Sequence, residues 1–184
     1  MKGKISAIIS FATMIYTMWY MRLGVPYKNS GALSKIGLEH RLLFAIWGIL
    51  TYTALTIGIK LAFEKTEKRK LYIPFFITSG IGMALTLINR FDYDIKLEYY
   101  LHCTGSLLFS ASTGVCIFLL FFLLKSREKI YLIFCIITAT ILLIDLICLI
   151  IFKETGLIET VPIFAGYILL TITNIRRDRL EVRR

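Results

Sequence analysis

The fold is decided between Asn89 and Arg127, which read NRFDYDIKLEYYLHCTGSLLFSASTGVCIFLLFFLLKSR. The second half of this stretch, Leu101 to Leu124, has 24 residues, and His102 is its only readily ionisable side chain. As a helix it would be about 36 Å long, enough to cross the roughly 30 Å hydrocarbon core of a bilayer. The stretch therefore predicts a membrane span that is preceded by a polar segment.

Composition supports a membrane protein. Hydrophobic residues make up 57% of the chain and charged residues only 18%, whereas about a quarter of the residues of a soluble domain are charged. The net charge of +10 is spread over short connections, and no basic face is interleaved with aromatic residues. Membrane lipids, with an anionic inner leaflet, are therefore the expected partner, and nucleic acid is not.

The apolar segments predict an all-α polytopic bundle of six transmembrane helices, which forms a single transmembrane domain over residues 1–184. The first segment could be mistaken for a signal peptide, but Tyr16, Trp19 and Tyr20 stand where a small-residue cleavage site would be needed. The predicted spans lie at about residues 5–21, 42–59, 71–88, 101–124, 130–152 and 157–175.

The orientation of these spans follows from the basic residues, which resist translocation. Of the 22 lysines and arginines, 15 lie in the N-terminus, the second and fourth connections and the C-terminal tail. The three alternate connections hold the other 7. This division predicts a multi-pass protein of the cell membrane with both termini cytoplasmic, and it places the acidic connection from Asp92 to Glu98 outside.

Most titratable side chains in the predicted outer half of the protein are candidates for a polar or ligand-binding site. A histidine titrates near neutral pH, and a carboxylate within a span usually has a partner or a function. The alternative interpretation gives His102 and Asp145 only a structural role between helices. The candidates are Glu39, His40, Asp92, Asp94, Glu98, His102 and Asp145.

His102 is predicted to point into the bundle. With Ser106, Ser110 and Gly114 it recurs every four residues, as in a stripe of small and polar residues that packs against a neighbouring helix. Counting along the fourth and fifth spans places Asp145 near the depth of His102. We therefore expect the two side chains to line one outward-opening polar cavity.

The polar connection from Arg22 to Arg41 is predicted to fold over the outer ends of the helices. Ser34 is a plausible N-cap for the helix that follows it. Folding of this connection would bring Glu39 towards His102.

No catalytic motif is present in the sequence. H-E-x-x-H, G-x-S-x-G and phosphate-binding glycine loops are all missing, so no catalytic residue, metal ligand or cofactor is predicted. The four cysteines lie in apolar runs without a C-x-x-C pair and are interpreted as small buried hydrophobic residues.

Two segments resemble a known family. LSKIGLEHRLLF, from Leu33 to Phe44, is similar to the segment of Frag1/DRAM/Sfk1-like membrane proteins in which Ser and Gly precede an acidic residue and a Phe. LHCTGSLLF, from Leu101 to Phe109, resembles the pattern that opens helix four in that group. Leu38 departs from the proline of eukaryotic members, and bacterial six-span proteins of unassigned function match equally well. The resemblance implies a role in lipid handling or membrane homeostasis.

Three classes of function follow from these observations. The first is non-enzymatic lipid binding or membrane homeostasis, which makes an enzyme the less favoured choice. The second is a small proton-coupled transporter or an immunity-type membrane protector, suggested by Asp145 within a span. The third is an intramembrane metal-dependent hydrolase that would use Asp92, Asp94, His102 and Asp145. Each class is compatible with a homo-oligomer.

Overall fold

Helices make up most of the described chain, and turns and short coil segments connect them. A computed structural model describes residues 1–181 and the side chains as far as Arg176, so the basic side chains of the tail beyond Arg176 lie outside it. A 3-10 turn, Asn29–Gly31, follows the first helix. The helices are α1 (Lys2–Met21), α2 (Leu33–Glu39), α3 (Arg41–Phe63), α4 (Tyr72–Ile88), α5 (Lys96–Leu124), α6 (Lys129–Phe152) and α7 (Gly156–Glu181).

The all-α class and a membrane location are supported by the lengths and composition of these helices. Among the described residues, four helices are long and apolar enough to cross a membrane: α3, α5, α6 and the part of α7 up to Arg176. The predicted first and third spans are helices as well, but α4 is only 17 residues long and α1 carries four buried Ser and Thr side chains. Four such helices make the chain membrane-embedded.

Short connections determine which helices are neighbours. The turn between α5 and α6 forces these helices to run antiparallel side by side, as predicted. Helix α1 packs on α3 and α7, and α4 packs mainly on α5. All connections lie at two ends of the bundle. We call these the α2 end and the basic end; the basic end carries the connections 64–71 and 125–128.

The apolar core has two parts. The larger part lies towards the basic end and is built around Phe63, Leu120, Phe121 and Tyr131, each at most 2% exposed. The smaller part lies at the α2 end, where Tyr20, Leu33, Ile36, Phe44 and Trp47 pack together. Leu33 and Ile36 belong to α2, so burial of its apolar side stabilises this short helix.

Helices α4 and α5 approach most closely at two glycines. A Cβ atom on Gly82 would lie 2.5 Å from the backbone nitrogen of Phe109, and one on Gly105 would lie 2.7 Å from the carbonyl oxygen of Gly82. Small residues of this kind let two membrane helices pack backbone to backbone. The contact fixes the end of α4 beside His102.

The predicted packing stripe of α5 is only partly correct. His102 and Gly114 are buried, but Ser106 is half-buried and Ser110 is exposed. The buried face follows Gly105, Phe109 and Cys116 instead. A helix has 3.6 residues per turn, so positions four apart drift by about 40° at each step. By Gly114 the stripe has turned towards α6, where a Cβ would meet the side chain of Leu142 at 2.7 Å.

Candidate polar site at the α2 end

His102 lies in an aromatic pocket at the end of α4. Its side chain is 2% exposed, and its ring centroid lies 6.0 Å from that of Phe44 and 5.2 Å from that of Phe91. Nδ1 is 3.1 Å from the carbonyl oxygen of Asn89, an acceptor, so this nitrogen donates. The prediction that His102 points into the bundle is confirmed.

The surroundings of His102 are the C-terminal cap of α4. The last carbonyl groups of a helix have no partner within it. Here the side-chain amide of Asn89 donates to the Leu85 carbonyl at 2.9 Å, and the Arg41 guanidinium donates to the Ile88 carbonyl. His102 donates to the next carbonyl along, that of Asn89. This arrangement favours the structural interpretation of His102.

Glu159 is the most extensively bound carboxylate at the α2 end. It accepts a hydrogen bond of 2.5 Å from the backbone N–H of Leu33 and one of 2.9 Å from the Ser34 hydroxyl. Leu33 is the first residue of α2, so a side chain of α7 supplies the N-terminal cap of α2. Ser34 was expected to cap the second span. That expectation is wrong, because Ser34 lies inside α2 and its hydroxyl binds Glu159.

The connection from Arg22 to Arg41 is ordered, as predicted. The Tyr20 hydroxyl donates to the Leu33 carbonyl at 3.0 Å, and the side-chain amide of Asn29 donates to the Glu154 carbonyl at 2.9 Å. A Cβ atom on Gly156 would lie 2.6 Å from the carbonyl oxygen of Gly31. The connection is therefore held against α1 and the α6–α7 turn.

Asp145 does not share a pocket with His102. Gly114 packs against Leu142, and from that level His102 is twelve residues nearer the α2 end whereas Asp145 is only three. At 1.5 Å per residue the two side chains differ in depth by about 13 Å. The contacts described for His102 come from Phe44 of α3 and from Asn89 and Phe91, which follow α4, and none comes from α6. The expected common cavity is not formed.

The remaining candidates lie at two places, the junction of α2 and α3 and the connection between α4 and α5 with the first turn of α5. Glu39 and His40 are exposed at the junction of α2 and α3, and proximity of Glu39 to His102 stays a prediction. Asp92 accepts the backbone N–H of Asp94 at 3.0 Å, as in a simple turn, and Glu98 accepts that of Arg90. Within the described part of the chain, no three His, Cys, Asp or Glu side chains are placed to hold a metal ion.

An aromatic cluster connects α2 to the α4–α5 connection. The ring of Tyr93 lies 4.7 Å from that of Tyr99 and 5.4 Å from that of Phe91. The ammonium group of Lys35 lies 5.3 Å from the Tyr93 ring centroid. Partial burial raises the pKa of the Tyr93 hydroxyl, and the Glu154 carboxylate raises it further.

A crevice between α3 and α4 is the structural feature that the sequence did not predict. Its enclosed part measures about 10 Å³, the space of roughly one water molecule, and about 300 Å³ when the open mouth is counted. α5 forms its floor with Phe109, Thr113 and Cys116. The remaining lining is mainly apolar and aromatic: Tyr52, Leu55, Thr56, Ile59, Tyr72, Phe75, Phe76 and Ser79.

Two aromatic pairs define the two ends of the crevice. Tyr52 crosses from α3 to α4, where its hydroxyl donates to the Phe76 carbonyl at 3.0 Å and its ring lies 5.4 Å from that of Phe76. At the basic end, the Tyr72 ring lies 5.9 Å from that of Phe63. The crevice therefore occupies the half of the bundle nearer the basic end.

Sequence reasoning missed Glu159 although the signal was present. The predicted sixth span, residues 157–175, contains this acid. Like Asp145, it is a carboxylate within a span, and such a group usually has a partner or a function. Its partners could not be read from the sequence, because Leu33 and Ser34 lie more than 120 positions away.

Comparisons with known proteins give no match: no family model, no curated protein and no solved structure is similar to this chain. The resemblance to Frag1/DRAM/Sfk1-like proteins therefore stays a prediction.

Proposed function

We propose that this chain is a six-span protein of the cell membrane, with both termini cytoplasmic, that binds membrane lipid without catalysing a reaction. The first part of the proposal concerns α1 and α4, the two predicted spans that are not among the four long apolar helices. The second part concerns the crevice between α3 and α4.

Helices α1 and α4 both run the full length of the bundle, which supports six spans. Near one end of α1, the Ser6 hydroxyl lies 3.7 Å from a Cβ atom placed on Gly58, and near the other Tyr16 donates to the Leu43 carbonyl. Helix α4 begins at the ring pair of Tyr72 and ends at the bond from Arg41 to Ile88. At 17 residues α4 reaches the lower limit for a membrane span.

The observation that carries the lipid-binding proposal is the α3–α4 crevice. Its mouth includes the exposed ring of Phe76 and the half-buried ring of Tyr52, and its floor includes buried Phe109 and Cys116. In a membrane such a mouth faces acyl chains. A groove with aromatic walls and a few hydroxyl groups suits a lipid better than a polar substrate.

Native mass spectrometry of the purified chain tests this proposal. The wild type is expected to retain phospholipid. Thr113→Leu, which fills the crevice floor, should retain several-fold less. Thr53→Leu is the matched control, since Thr53 lies on the exposed side of α3 outside the crevice. Wild-type protein without bound lipid, or equal retention by both variants, would contradict lipid binding in the crevice.

A second candidate function is proton-coupled transport, which one set of buried groups favours. The Thr51 hydroxyl on α3 and three polar atoms on α7 have no hydrogen-bond partner among the described residues: Tyr167 Oη, Thr173 Oγ1 and Asn174 Oδ1. Buried polar atoms of this kind often bind internal water. If they form a proton path, Tyr167→Phe should slow proton flux into liposomes, and lack of wild-type flux would rule this function out.

A further inference from the structure

A basic triplet lies next to the crevice at the basic end of the bundle. Lys68, Arg69 and Lys70 are exposed in the connection between α3 and α4, and across residues 1–176 their side chains make no hydrogen bond or ion pair. The backbone N–H of Ile73, in the first turn of α4, donates to the Lys70 carbonyl at 3.1 Å. The triplet is thus tied directly to the α4 wall of the crevice.

The crevice wall begins two residues after Lys70. Tyr72 is the first residue of α4 and lines the crevice, and Ser79 lines it seven residues further along. This places the apolar lining from the membrane surface at the basic end to about 10 Å deeper. The positive charges therefore lie at the membrane surface and the apolar wall lies deeper, in the same order as the headgroup and the acyl chains of a lipid.

We propose that an anionic phospholipid of the cytoplasmic leaflet binds here, with its headgroup on Lys68, Arg69 and Lys70 and an acyl chain along the crevice. This inference rests on the proposed lipid binding and names the class of lipid. A zwitterionic headgroup brings no net charge to the three cations, whereas an anionic headgroup brings a net negative charge that attracts them. The enclosed space is small, so the chain lies along the open mouth between Tyr52 and Tyr72, where one side of it faces the floor at Thr113.

Binding of two lipids that share acyl chains tests the headgroup assignment. Purified full-length protein is titrated with dioleoyl-phosphatidylglycerol or dioleoyl-phosphatidylcholine, and the bound fraction is read by native mass spectrometry. We expect the wild type to prefer phosphatidylglycerol. Combined Lys68→Gln, Arg69→Gln and Lys70→Gln should lower its affinity by about fivefold per charge and leave phosphatidylcholine unaffected.

The matched control removes equal charge elsewhere at the same end of the bundle. Lys125, Arg127 and Lys129 are also exposed at the basic end and lie outside the crevice. Their combined replacement by Gln should change the affinity for phosphatidylglycerol less than twofold. Thr113→Leu should weaken both lipids, because it acts on the acyl-chain part of the site.

The possible failures are distinct. If the wild type binds both lipids equally, or if both triple variants lose the same affinity, the headgroup site is wrong while lipid binding stands. If neither lipid binds wild-type protein whose thermal unfolding is cooperative, the proposed function itself is wrong.

Discussion

At the scale of single residues, Glu159 and His102 have the same structural role at the α2 end of the bundle. Each belongs to one helix and satisfies a backbone group at the terminus of another. Glu159 of α7 accepts the first N–H of α2, and His102 of α5 donates to the carbonyl that follows α4. Polar side chains within a span thus supply the hydrogen bonds that the end of a neighbouring helix could not obtain from the bilayer.

Replacement of Glu159 by Ala should destabilise the protein by about 2 kcal/mol, since it removes a helix cap and two hydrogen bonds to the buried carboxyl group. Ser34→Ala should cost about 1 kcal/mol. Because Ser34 donates to Glu159, the double variant should lose less than the sum of the two. Thermal unfolding of all four proteins measures this coupling, and strict additivity would contradict the contact. Glu39→Ala, at an exposed position, is the control.

The stability lost when His102 is replaced depends on whether the new side chain fills the volume of the imidazole ring. His102→Phe keeps a ring between Phe44 and Phe91 and loses only the hydrogen bond to Asn89, so it should cost about 1 kcal/mol. His102→Ala also opens a cavity and should cost about 3 kcal/mol. Melting temperatures of the two variants test the order. If His102→Phe folds as well as the wild type but retains no lipid, His102 has a chemical role that the cap does not explain.

At the scale of helices, the length of each helix decided whether the sequence could predict it. Spans of 17 or more residues have a hydrophobic run that the sequence displays directly, and each coincides with a helix. Helix α2 has seven residues, too few for a periodic pattern, and exists because Leu33 and Ile36 are buried and Glu159 caps it. Contacts between distant segments, such as the α3–α4 crevice, leave no local pattern to read.

The α4–α5 contact gives the sharpest prediction at this scale. Gly82→Ala places a Cβ atom 2.5 Å from a backbone atom of α5, so the helices must separate, and the cost should be about 2 kcal/mol. Gly166→Ala is the matched control, because its Cβ would meet only the ends of two flexible side chains, Ile117 at 3.2 Å and Leu55 at 3.5 Å. Thermal unfolding compares the two. Equal stability of the variants would mean that α4 and α5 do not pack this closely.

At the scale of the whole molecule, the six-span arrangement requires that α1 and α4 cross the membrane. The four more apolar helices do not decide this, since a four-span protein with α1 and α4 packed at the surface would carry the same hydropathy signal. The basic residues do not decide it either, since six spans place 15 of the 22 on one side and four spans place 14. In the six-span arrangement, loops at the two ends of the bundle label from opposite sides of the membrane.

The most direct test is site-specific cysteine labelling in intact cells, in a chain whose four native cysteines are replaced by alanine. Single cysteines are placed at four exposed positions: Lys2 and Lys28, which flank α1, and Glu67 and Asp94, which flank α4. A membrane-impermeant maleimide should label the cysteines at positions 28 and 94 in intact cells, and those at 2 and 67 only after permeabilisation. Labelling of both members of either pair from the same side would contradict the six-span fold.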